Sequence, residues 1–281
     1  MVAPCRAVGP SASIAQAGVG WLDWGYMLGT IGAALTPIID LIYPPRCPLC
    51  GEGMADQTGV CGPCWLKLDI PGEPACTACK RPFRDGVAQP GSLCAPCLTA
   101  RPRHDGIAAA TLYNDASRRL VLTFKHGRRI GLARALGRMM AARLSDAEGE
   151  WVIVPVPLHP RRLWSRGFNQ SALLAREIAR IRGEPLEIDA LVRRKYTAPL
   201  RGLGKKARAR ALSGAIRIRA GKADRIRDRQ IILVDDVLTS GATSNACVST
   251  LKNAGASKVI VACFARVLDD ALNPSLDNDP A

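Results

Sequence analysis

Eight cysteines stand as four Cys-x2-Cys pairs: Cys47/Cys50, Cys61/Cys64, Cys76/Cys79 and Cys94/Cys97. The segment that holds them, residues 43–100, is short and rich in Pro and Gly. It cannot bury enough apolar surface to hold itself together, so another element must do so. A Cys-x2-Cys turn presents two thiolates on one side of a tight loop. Two such turns complete a tetrahedral zinc site with metal–sulfur distances of about 2.3 Å. One pair alone suits redox chemistry, whereas four clustered pairs suit metal. The expectation is two structural zinc ions, with sulfur in every position and none left for a catalytic water. The spacing permits sequential or interleaved pairing, and sequential pairing is favoured. Cys5, Cys247 and Cys263 fit neither site and read as small apolar residues. Clustering also argues against a disulfide framework spread over a secreted domain.

Ahead of this module lies a tail and helix, residues 1–42. Its apolar run over 25–43 is interrupted by Pro37 and Asp40 and barely reaches the length a bilayer needs. It reads as a helix packing on protein, without stable membrane insertion. Met1 to Ser13 lacks a basic region followed by an apolar run, so no signal peptide is expected and the cytoplasm is the expected compartment. At 281 residues and 48 % hydrophobic, the chain excludes wholesale disorder and suggests one or two domains.

The texture changes near residue 105. Strands are predicted over Gly106–Tyr113, Trp151–Val156, Ile231–Val234 and Lys258–Ala265. Helices are predicted over Ala116–Phe124, Leu132–Leu144, Gln170–Ile181 and Thr243–Ala254, with Gly255 closing the last. The alternation implies an α/β domain over 101–268, a parallel sheet with helices on both faces. A frayed tail is expected over 269–281.

The sharpest motif runs from Ile231 to Ser244: a buried strand, the acids Asp235 and Asp236, a small-residue loop, then a helix. Ser, Gly and Ala leave backbone N–H groups free to approach an anion, and the helix adds its positive end. Leu238, Thr239, Ser240, Gly241, Ala242 and Thr243 thus form a phosphate cradle. Carboxylates there would repel phosphate; they suit ribose hydroxyls, or act through Mg2+. Neither Gly-Lys-Ser/Thr nor Gly-x-Gly-x-x-Gly is present. The segment resembles the phosphoribosyl pyrophosphate (PRPP) signature of type I phosphoribosyltransferases. That resemblance implies ribose contacts for Asp235 and Asp236 and 5′-phosphate binding for residues 238–243.

A second arm, Val154 to Gln170, reads as a strand end, a basic loop and a helix start. Arg161, Arg162 and Arg166 could neutralise a pyrophosphate through bidentate bonds. Asn169 reads as a helix cap. His159 is weighed as a proton carrier and, more readily, as a bystander. A basic turn, Leu122 to Arg129, could bring Lys125 and Arg128 to the same cleft. The Pro-Val-Pro-Leu…Arg-Gly-Phe-Asn-Gln run with the Cys pairs ahead of it resembles the ComF family of competence-associated, phosphoribosyltransferase-like proteins, over roughly residues 40–267. Between the arms lies a Gly-rich basic stretch. It departs from that family at Leu200 and Ala211, where Gln and Asn are common, and before Arg208, where Glu is. It reads as a mobile lid or a nucleic-acid strip, with Tyr196, Thr197, Lys205, Lys206 and Arg208 as its contacts.

Charge adds an independent constraint. The chain carries +15, and residues 161–230 hold 16 Arg and 4 Lys against 6 acids, a net of +14. Such a segment suits an anionic partner. Two readings stay open. One is a PRPP/Mg-binding competence protein that handles internalised single-stranded DNA, with a helicase or recombination protein as partner. The other is an active transferase in which a nitrogen nucleophile displaces pyrophosphate from ribose 5-phosphate.

Overall fold

The computed structural model describes residues 44–56, 59–83, 88–89, 91–126, 129–144, 147–194 and 214–268. The tail and helix expected over 1–42, Arg128, the lid contacts Tyr196, Thr197, Lys205, Lys206 and Arg208, and the tail from 269 lie outside them. Along the chain come α1 (Gly62–Trp65), α2 (Ala95–Thr99), β1 (Ile107–Leu112), α3 (Asp115–His126), α4 (Leu132–Ala142), β2 (Trp151–Pro155), α5 (Pro160–Arg166) and α6 (Gln170–Arg182). Then follow β3 (Leu191–Arg193), β4 (Ile216–Ile218), β5 (Gln230–Leu238), α7 (Ala242–Asn253) and β6 (Lys258–Arg266). Among the described residues no helix is long and apolar enough to cross a membrane.

Among the described residues the main sheet has four strands in the order β1-β6-β5-β2, all parallel. Buried side chains alternate across it, as the two-residue strand period requires. Ile153, Ile232, Val234, Ala262 and Phe264 face one core with Leu120, Phe124, Leu136, Met140, Leu174 and Ile178 from α3, α4 and α6. Val152, Val154, Ile231, Leu233, Val259 and Val261 face the other with Cys247, Val248 and Leu251 of α7. The helices therefore cover both faces, as the strand–helix alternation predicted.

The cysteine-rich module straddles the β1 edge of this sheet. Cys47, Leu49, Cys64 and Leu68 pack into the first core, and Cys76, Cys79, Cys94 and Cys97 into the second. Between them Asp69 covers the exposed side of β1: its carbonyl accepts from Leu112 N–H at 2.7 Å and from Thr111 Oγ1 at 2.9 Å. The module thus covers the C-terminal end of an edge that would otherwise invite pairing with another chain. Arg119 and Arg143 add bonds to the carbonyls of Leu49 and Pro71 at 2.9 and 2.8 Å.

Two details differ from expectation. The basic loop after β2 is a helix, α5. His159 is its N-cap, with Nδ1 accepting from Arg161 N–H at 3.2 Å; Pro160 opens it and Gly167 closes it at φ +78°. Those three residue types are the standard start and stop signals, but α5 buries no residue, so it carries no apolar stripe to betray it. Strand β5 also runs on through both acids to Leu238, because Asp235, Val237 and Leu238 stay in register with Cys263, Ala265 and Arg266 of β6.

Candidate functional site

The cysteines pair sequentially. The sulfur atoms of Cys47, Cys50, Cys61 and Cys64 lie within 4.8 Å of one another, and those of Cys76, Cys79, Cys94 and Cys97 do the same. Sγ–Sγ separations of 3.5 Å (Cys50–Cys61) and 3.6 Å (Cys79–Cys94) approach the ~3.8 Å edge of a tetrahedron built on zinc–thiolate bonds. Backbone N–H groups already point at sulfur: Cys61 N to Cys47 Sγ at 3.5 Å and Cys94 N to Cys76 Sγ at 3.3 Å. Burial would raise the Cys47 and Cys76 thiols, but hydrogen bonds from neighbouring backbone N–H groups outweigh it and bring each down to about 6. Both donor sets fit structural zinc and leave no open ligand position.

The second candidate centre forms at the carboxyl ends of β2 and β5, where ligands bind in open parallel sheets. These strands are direct neighbours, Pro155 opposite Val234, and Val156 N–H extends the ladder to Val234 O at 2.9 Å. The loops that leave them therefore depart side by side. Asn169 locks the first arm: Oδ1 accepts from Ser171 N–H at 3.1 Å, capping α6, while Nδ2 donates to Val156 O at 3.1 Å.

Asp235 is held by three donors. Ser171 Oγ (3.3 Å) and Asp236 N–H (2.9 Å) reach Oδ1, and Ser244 Oγ reaches Oδ2 at 3.0 Å. Burial and the adjacent Asp236 carboxylate push its carboxyl up to about 7, against the pull of Ser244, the Asp236 N–H and Lys125. Asp236 differs: Oδ1 accepts from Val237 N–H at 2.7 Å, and Oδ2 pairs with Lys125 Nζ at 3.2 Å. The ion pair is mostly shielded, with the two side chains 18 % and 16 % exposed. The structure thus brings Lys125 to the acids, as the basic turn had suggested. Ser171 and Ser244 carried no sequence signal of their own.

Past the acids, buried Leu238 ends the strand, and its carbonyl accepts from Val267 N–H at 2.9 Å. It contributes backbone and anchoring rather than an exposed side chain. Thr239 is exposed, Ser240 to Thr243 half-buried. Gly241 adopts φ +71°, which favours glycine, and precedes α7, whose first turn has no side-chain cap. Its leading N–H groups are the kind that bind anions.

On the other arm, Arg161, Arg162 and Arg166 share α5. Arg162 and Arg193 lie close enough to His159 that, after desolvation, their charge helps hold its imidazole below the usual range. The contact seen for His159 is structural: its Nδ1 caps α5.

A double zinc ribbon domain family matches residues 38–100, and a phosphoribosyl transferase domain family matches residues 167–277. DNA utilization protein YhgH of Salmonella typhimurium is 31 % identical over 231 residues, covering 76 % of this chain and all of that protein. Competence protein F of Haemophilus influenzae is 29 % identical over 228 residues, covering 79 % of this chain and 96 % of that protein. Amidophosphoribosyltransferase of Escherichia coli is 30 % identical over 141 residues, 49 % of this chain but 24 % of that enzyme. With its paired zinc-ribbon sites, transferase-type sheet and near end-to-end match to these DNA utilization and competence proteins, the chain belongs to the ComF family.

Proposed function

We propose that this protein binds magnesium PRPP at the carboxyl edge of β2 and β5 and handles single-stranded DNA on its basic side, in a competence or DNA-utilisation role. The carrying observation is the sequence of groups along one strand, loop and helix: Asp235 and Asp236, then Gly241, then the uncapped start of α7. The acids suit the ribose hydroxyls, and the loop and helix start suit the 5′-phosphate. Arg161, Arg162 and Arg166 suit the pyrophosphate. Lys125 already compensates Asp236, so the acid pair alone is a poor cage for a free divalent ion. Magnesium would enter on the pyrophosphate oxygens and offset their charge. The names of the YhgH and competence protein F relatives and the +14 stretch support the DNA half of the reading. A cytoplasmic site and a helicase or recombination partner go with it.

Calorimetric titration of Mg-PRPP into the wild type and an Asp235→Asn/Asp236→Asn variant tests the sugar-phosphate half. Binding to the wild type alone is expected; equal heats, or none from either, would overturn it. Turnover is a second reading, favoured by the amidophosphoribosyltransferase match. It requires pyrophosphate release with some nitrogen nucleophile, and orientation plus charge stabilisation by the same residues would drive it.

A further inference from the structure

We propose that α5 is a stacking platform for single-stranded nucleic acid, with Trp164 as the side chain that a base covers. This rests on the DNA half of the function proposed above and says where the strand sits.

A helix of seven residues that buries none of them gains almost nothing from its own length. Here the His159 cap, Pro160 and the left-handed Gly167 fix it instead. What it presents is unusual for a protein surface. Trp164 is 92 % exposed and Leu163 42 % exposed, on the same short helix as Arg161, Arg162 and Arg166. A shallow, open depression of about 510 Å3 lies against it, bordered by Pro160, Arg161, Trp164 and Ser165. A bare indole costs solvation unless a partner covers it.

The partner must offer a flat apolar face and negative charge together. Unpaired bases joined by phosphates offer both. Base–aromatic stacking supplies sequence-tolerant affinity while arginines track the backbone. The charge map favours this occupant over a second copy of the chain. α5 itself carries Arg161, Arg162 and Arg166 and no acidic side chain, so two copies meeting there would set like charge against like.

The test uses the full, zinc-loaded chain and a labelled oligo(dT) of about 16 nucleotides, the upper site size for a single binding fold. Wild type is expected to bind with partial quenching of tryptophan emission. Trp164→Phe should keep most of the affinity and lose most of the quenching. Trp164→Ala should bind about tenfold or more weakly, with the salt dependence unchanged because the phosphate contacts remain. An abasic strand of equal length should bind wild type and Trp164→Ala alike. Because α5 buries nothing, the thermal midpoint should not move. If Trp164→Ala binds oligo(dT) as wild type does, the platform is wrong while the DNA reading stands. If wild type fails to bind at low salt, both fall. If Trp164→Ala instead abolishes self-association seen by sedimentation and leaves oligo(dT) binding intact, α5 is a contact between copies and the proposal is overturned.

Discussion

Asp235 and Asp236 are adjacent in the chain, yet the fold gives them different chemistry. Asp236 is a carboxylate compensated by Lys125, whereas Asp235 is driven toward its neutral form until about pH 7. Ribose hydroxyls donate best to a carboxylate, so the proposed Mg-PRPP affinity should rise as pH increases through about 7 and level off above it. Asp235→Asn should remove that part of the pH dependence; calorimetry at several pH values reads it. Lys125 pulls Asp235 downward, so Lys125→Met should move the same midpoint upward. It also strands a shielded carboxylate. A loss of about 1–3 kcal/mol in stability is expected, below the figure for a fully buried pair because both groups retain some water. Denaturant titration of Lys125→Met, Asp236→Asn and the double variant would isolate the coupling. The acid pair was legible in the sequence because strand, acids, loop and helix are contiguous. Lys125, Ser171 and Ser244 reach the acids from three different helices, and Ser171 lies 64 positions from Asp235. No local pattern records the arrival of Lys125 and Ser171, whereas Ser244 closes the motif itself, nine positions from Asp235.

The helices show which parts of a fold local pattern can and cannot reveal. α3, α4 and α6 each carry an apolar stripe at three- and four-residue spacing and lie where the periodicity placed them, within a residue or two. α5 has no stripe and reads as loop. β3 and β4, three residues each, are too short to show alternation and exist through pairing with each other across a long chain separation. Gly137 on α4 marks a close helix crossing: a Cβ there would stand 2.6 Å from Glu177 Cβ on α6. Backbone spacing, not glycine's freedom of φ, is what it supplies. Gly137→Ala should therefore force the two helices apart and destabilise the fold by about 1–3 kcal/mol. For a body of this size that is a fall of about 2–4 °C per kcal/mol in thermal midpoint, measurable by calorimetry.

At the scale of the molecule, the ribbons are part of both cores rather than an appendage. The four Cys-x2-Cys pairs announced two metal sites, but composition alone could not show that each would sit on a different face of one sheet. Removing zinc should therefore unfold more than the ribbons. With a strong chelator, the near-ultraviolet signal of Trp151, 1 % exposed in the first core, should disappear together with ribbon structure in one transition. Two separate transitions would show the cores to be independent of metal. The second ribbon has a further tie. Arg266, the last residue of β6, donates to Cys79 O at 2.6 Å and to Cys79 Sγ at 3.3 Å, and stands in register with Leu238, where the proposed phosphate loop begins. One guanidinium thus fastens a metal knuckle to the root of the loop proposed to hold the sugar phosphate. An oxidant that stripped metal from this knuckle would loosen that loop from behind, so the proposed site would feel the state of a metal centre on the far side of its own strand.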